Sequence, residues 1–83
     1  MNKYKCIWRS KSSPEYVWEW TMNFESADSA LEWATSRHPQ AHCIGVFRVP
    51  DNAPVGSGKR NMRDGKPQPW NHDRLSNHIA YWL

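Results

Sequence analysis

Polar and apolar residues alternate strictly through the first part of the chain. Tyr4, Cys6 and Trp8 fall on one side, and Lys3, Lys5, Ile7 and Arg9 on the other. That is the two-residue period of a half-buried strand. A second run repeats it: Tyr16, Trp18, Trp20, Met22 and Phe24 share one face, and Glu15, Val17, Glu19, Thr21 and Asn23 the other. The turn formers Ser10-Lys11-Ser12-Ser13-Pro14 lie between the two runs and predict a hairpin. Pairing Arg9 with Glu15 brings Lys5 opposite Glu19 and Ile7 opposite Val17. On the ring face the same register sets Trp8 against Tyr16, Cys6 against Trp18 and Tyr4 against Trp20.

The period then changes. Ser26 is a suitable N-cap, Asp28 falls in the first turn, and Ala27, Ala30, Leu31 and Ala34 form a narrow apolar stripe ahead of Pro39. The pattern predicts a helix over 27–37 that approaches the sheet closely, with Trp33 either flanking the core or exposed. Cys43 to Val49 reads as a third strand closed by Pro50. A right-handed crossover places it parallel to the second strand, beside the first. From Asp51 to Pro69 no period persists and Pro and Gly accumulate, which predicts a long loop. Asn71-His72-Asp73 then caps a short final helix with Leu75, Ile79 and Trp82 at helical spacing, a strand at His78–Leu83 being the rival. The expected fold is α+β: a β-β-α-β core over 1–50, a basic loop over 51–70 and a C-terminal helix over 71–83.

Composition sharpens this picture. The 83 residues include six tryptophans, three tyrosines and two phenylalanines, at a mean hydropathy of −0.90. One helix offering three alanines and a leucine is too slight to cover so many rings. Either Trp70, Leu75, Ile79 and Trp82 complete the core, or some rings form a binding surface, where Trp, Tyr and Arg dominate the energetics. No apolar stretch approaches the ~20 residues of a membrane span. No signal-peptide pattern opens the chain, and its two cysteines make no disulfide framework, so a cytoplasmic location is expected.

Charge is concentrated. Of a net +3, Lys59, Arg60, Arg63 and Lys66 against Asp64 account for the whole excess. With the interleaved aromatics they make nucleic-acid binding an alternative function. Ser57-Gly58-Lys59 lacks the remaining residues of a phosphate loop. His38, His42 and Cys43, with Cys6, His72 and His78, offer zinc-type donors, yet no CxxC or HExxH spacing accompanies them. They are expected to be surface histidines and core thiols. No nucleophile turn is present, so neither an enzyme nor a cofactor is expected.

Cys6-Ile7-Trp8-Arg9, the polar turn, the run from Phe24 to Ala34 and Val46-Phe47-Arg48-Val49-Pro50 together resemble a known family. It is the small inhibitor of host RNA polymerase made by T-odd podophages, the gene-two protein. The resemblance covers residues 4–50. It implies a strand–strand–helix–strand domain that docks on the jaw of the largest polymerase subunit and blocks promoter opening in the bacterial cytoplasm. It also implies an interface at Arg48 and an acidic strip matched by Glu19, Asp28 and Glu32. In this chain Pro50 stands where the family has a second strand-three arginine. Trp33, Phe47 and the basic residues Lys59, Arg60, Arg63 and Lys66 complete the expected partner-binding set. Anti-CRISPR and anti-restriction proteins share such small α+β folds and provide alternative targets.

Overall fold

The computed structural model describes residues 1–10 and 17–73. The alternating segments form β1 (Asn2–Arg9) and β2 (Val17–Phe24), and the capped stripe forms α1 (Ala27–Thr35). There follow β3 (Cys43–Arg48), β4 (Ala53–Lys59), β5 (Met62–Arg63), β6 (Lys66–Pro67) and β7 (Asn71–Asp73). Five strands make one sheet in the order β2-β1-β3-β4-β7, and β5 and β6 pair separately. All neighbours are antiparallel. Since β1 lies antiparallel to both β2 and β3, those two run parallel on either side of it, as the crossover requires.

The helix covers one face of the sheet. Tyr4, Cys6 and Trp8 of β1, Phe24, Ile44 and Val46 are buried there against Ala30, Leu31 and Ala34. The small stripe lets the helix come close enough for the Trp8 indole Nε1 to donate to the Ala34 carbonyl at 2.8 Å. That bond satisfies both a buried ring nitrogen and a carbonyl near the helix end. Ser26 caps the helix by accepting from the Ser29 N–H at 3.1 Å. The helix stops at Thr35, two residues short of the expectation. Thr35 and Ser36 turn their hydroxyls back onto the carbonyls of Glu32 and Trp33 and so compete for the groups that would extend it.

The hairpin register differs from the expectation by two residues. Trp8 faces Trp18, Cys6 faces Trp20, Tyr4 faces Met22 and Arg9 faces Val17. Glu15 and Tyr16, the partners expected for Arg9 and Trp8, lie outside the described residues. A two-residue slip keeps every side chain on its face, so ring burial alone does not reject it. Exposed charge pairs contribute too little to fix a register. Lys5 still reaches Glu19, now diagonally, at 3.6 Å.

The larger correction falls in the second half. The stretch 51–70, expected to be a loop, contains β4, a full strand beside β3, and the β5–β6 hairpin. Two turns produce this. Asn52 adopts φ 56° at the β3–β4 connection, and Asp64 and Gly65 adopt φ 53° and 75° between β5 and β6, the left-handed pair of a tight hairpin. The strand signal of β4 is weak because Gly56 and Gly58 occupy its helix-side face. A Cβ on Gly58 would lie 3.1 Å from Ile44 and 3.3 Å from Trp70. A side chain there would crowd Ile44 and Trp70 by a few tenths of an ångström, so the packing favours glycine, which strand propensity disfavours. Asn71-His72-Asp73, expected to cap a helix, instead pairs with β4 as β7. The rest of the expected helix, with Leu75, Ile79 and Trp82, and its rival strand lie outside the described residues.

Candidate functional site

Among the described residues the sheet has two unlike edges. β7 is three residues of polar sequence, whereas β2 is eight residues long, pairs with β1 without a bulge, and carries Glu19 as its single charge. Folded proteins usually blunt an edge strand with shortness, charge, proline or a bulge. β7 follows that practice and β2 does not. Val17, Trp20 and Met22 are 47%, 56% and 38% exposed, and apart from Met1 they are the large apolar side chains left at the surface among the described residues. All three belong to β2. The Trp20 indole Nε1 lies 3.0 Å from the Met22 sulfur, so the two side chains make one continuous apolar surface.

Beside that strand lies an open groove of about 660 Å³ between β2 and the C-terminal end of α1. Its walls are four of the six tryptophans, Trp8, Trp18, Trp20 and Trp33, with Arg37 and His38 at the helix end. The rings hold one another in place. Trp8 packs on Trp33 with centroids 5.8 Å apart, Trp33 on Phe24 at 5.4 Å, and Trp18 on His38 at 4.2 Å. The Arg37 guanidinium carbon sits 5.1 Å from the Trp33 ring centroid, a cation–π contact that places a positive charge on the rim. The groove exists because the helix lies over β1, β3 and β4 and reaches β2 least, which leaves the outer ring-bearing strand half covered.

His38 is fixed from behind. Arg60 donates from Nε to the Ala41 carbonyl at 2.8 Å and from Nη2 to the His38 carbonyl, while its guanidinium lies 4.3 Å from the Trp70 ring centroid. Burial, helped by the Arg60 charge, holds the His38 imidazole below its ordinary pKa of 6.5. The ring facing Trp18 is therefore held toward its neutral form.

The expected partner-binding residues separate. Trp33 lines the groove. Phe47 does not: only 6% exposed, it lies on the opposite sheet face, with the Lys5 ammonium 5.7 Å from its ring centroid. Its odd place in β3 pairs it with Lys5 rather than with the ring-bearing residues of β1. Arg60 is a structural clamp rather than a free cation. Lys59, Arg63 and Lys66 remain exposed. Arg48 is exposed, and its guanidinium forms a two-point contact with Asp51 across the β3–β4 turn. That contact raises the Arg48 pKa and holds the Asp51 carboxyl below its ordinary value. No acidic strip forms. Glu19 sits on the face away from the helix beside Lys5, while Asp28 and Glu32 border a separate cleft with His72 on the far side of α1.

Among the described residues no group of three His, Cys, Asp or Glu side chains gathers at metal-binding distance; His78, the remaining zinc-type donor, lies outside them. Cys6 and Cys43 are both buried, on opposite sheet faces, and burial pushes the Cys6 thiol up to about 12. Ser10 and His42, which the sequence did not associate, meet with Oγ and Nδ1 3.2 Å apart. Ser10 is buried, so the contact ties the end of β1 to the start of β3 and offers a substrate no hydroxyl. Among the described residues no helix is long and apolar enough to cross a membrane.

The groove residues most easily missed in the sequence are Arg37 and His38, because nothing in the local pattern links the end of the helix to Trp18. In comparisons with known proteins, no family model, curated protein or solved structure matches this chain.

Proposed function

We propose that the chain is a non-enzymatic protein-binding module whose contact surface is the β2 edge together with the tryptophan groove beside it. One observation carries this reading: among the described residues, the exposed large apolar side chains other than Met1, namely Val17, Trp20 and Met22, all lie on one unblunted edge strand. Exposed strand edges accept a further strand through main-chain hydrogen bonds, and flanking pockets select its side chains. Aromatic and arginine side chains beside such an edge are the types that dominate protein interfaces.

We propose further that the module acts as a small inhibitor of the phage type, which occupies a surface of a host nucleic-acid machine. Bacterial RNA polymerase is the target that the resemblance over residues 4–50 implies. In this reading Trp20, Trp33 and Arg37 replace Arg48 as the leading contacts, since the Arg48 guanidinium already engages Asp51. The test is affinity capture from a bacterial lysate with the full chain and with Trp20→Ser. Capture of a polymerase subunit that Trp20→Ser abolishes is the expected result. Capture of a different protein, again dependent on Trp20, keeps the module and rejects the polymerase. Capture that ignores the substitution rejects the β2 face.

Lys59, Arg63 and Lys66, all exposed on or beside the β5–β6 hairpin, favour a second reading as a nucleic-acid surface.

A further inference from the structure

Resting on the reading of β2 as the binding edge, we infer that one occupant of this edge is a second copy of the chain. The two β2 strands would pair antiparallel about a two-fold axis at Trp20 and continue the sheet from one copy into the other.

The backbone supplies the first argument. Across β1 and β3, the Lys3 carbonyl accepts from the Val49 N–H at 3.0 Å and the Arg9 carbonyl from the His42 N–H at 2.9 Å. Odd-numbered residues of β1 therefore turn their backbone groups toward β3, and even-numbered ones toward β2. Even residues of β1 face even residues of β2, as Cys6 faces Trp20. The N–H and C=O groups of Val17, Glu19, Thr21 and Asn23 consequently point outward from the sheet.

Self-complementarity supplies the second. With Trp20 opposite Trp20 of the second copy, Val17 faces Asn23, Glu19 faces Thr21 and Trp18 faces Met22. All four outward-facing residues then find hydrogen-bonding partners, whereas a register centred on Thr21 leaves Val17 unpaired. Glu19 is the single charge on the strand, and in this pairing it meets a hydroxyl rather than its own copy. The like-charge contact that would oppose self-pairing is absent.

Side-chain placement supplies the third. A two-fold axis perpendicular to the sheet puts both helices on the same face. Trp20 and Met22 of each copy then border the groove of the other, so the second copy contributes to the site. The surface removed from water is the apolar surface that β2 leaves exposed. One strand and a few rings make a small interface, so association at concentrations on the order of micromolar or higher is expected.

Sedimentation of the full chain from about 1 µM to about 1 mM tests this. A reversible change from one chain to two is expected. Thr21→Pro removes an outward N–H without touching a bond to β1, and should weaken the dimer at least about tenfold. Trp20→Cys guards against a misfolded proline variant. Opposed residues at such a non-hydrogen-bonded pair have Cα atoms about 4.5 Å apart, within disulfide reach, so mild oxidation should link two copies. A single-chain mass over the whole range overturns the inference. A dimer that resists Thr21→Pro, checked as folded by circular dichroism, or one that Trp20→Cys fails to link, also overturns it by placing the contact elsewhere. A monomer that still captures a partner through Trp20 leaves the protein-binding reading standing. A β2-linked dimer whose lysate capture ignores Trp20 rejects the partner-binding reading and keeps this one.

Discussion

His38 shows most directly how a single residue joins stability to the groove. Its imidazole faces Trp18 at 4.2 Å, its carbonyl is held by Arg60, and its pKa is lowered by burial and then by the Arg60 charge. A base with a lowered folded-state pKa binds its proton more readily when unfolded. Its contribution is thus fully present above the ordinary value of 6.5 and is lost as pH falls through that value toward the folded pKa. Urea unfolding between about pH 8 and about pH 5 should show the native chain losing stability more steeply than His38→Gln over that window. Equal slopes would show that the imidazole does not titrate differently in the two states. Arg60 illustrates a different point: a cation in a basic run is legible as charge, but its two carbonyl acceptors come from the post-helix segment, more than a dozen residues earlier. Sequence distance hid that partnership.

At the scale of elements, legibility followed periodicity. β1 and α1 were readable because each buries one face and so repeats at its own period. β2 alternates in sequence although Phe24 is its one fully buried residue, and β3, buried on both faces, was readable from its β-branched and aromatic run. β4 was not, because its helix-side face is made of glycine and its other face buries Ser57, so no apolar alternation marks it. The two glycines differ in a way that can be measured. A Cβ on Gly58 would meet Ile44, Trp70 and His72 at 3.1, 3.3 and 3.4 Å, while on Gly56 it would meet Leu31 at an ordinary 3.5 Å. Gly58→Ala should destabilise the chain by about 1–3 kcal/mol through overpacking, and Gly56→Ala should change it by no more than about 0.5 kcal/mol. Chemical denaturation of both variants checks this, and equal effects would argue against close packing under Trp70. The Asp64-Gly65 turn did carry a recognisable hairpin signal. Prolines and charges surround it, so no sustained period accompanies that signal.

For the whole molecule, the distribution of charge and of exposed rings separates the two functional readings. Three exposed cations, Lys59, Arg63 and Lys66, lie on or beside the β5–β6 hairpin, while the tryptophan groove lies along β2. If the cations contact about three phosphates, DNA affinity should fall about forty-fold between about 50 and about 200 mM salt. Replacing all three with glutamine should remove that dependence. Fluorescence anisotropy at several salt concentrations measures it, and a slope unchanged by the triple substitution would exclude this end of the molecule. Capture of a protein through Trp20 is independent of these charges, so the two readings stand or fall separately.

Local patterning specifies the strand–strand–helix–strand order, the faces of β1 and β2, and the cap of the helix. Each rests on local periodicity or on a hydrogen bond within a few residues. It also posed the question of surplus rings. Which rings are covered follows from three-dimensional packing, because coverage depends on where the helix crosses the sheet and on a fourth strand that local propensity does not announce. Tyr4, Trp8 and Phe24 lie in the core, while Trp20 and Met22 lie beyond the helix on an outer strand. The same alternation that marks them as one face cannot say how far across that face the helix extends. That placement turns an excess of tryptophan into a groove and an edge.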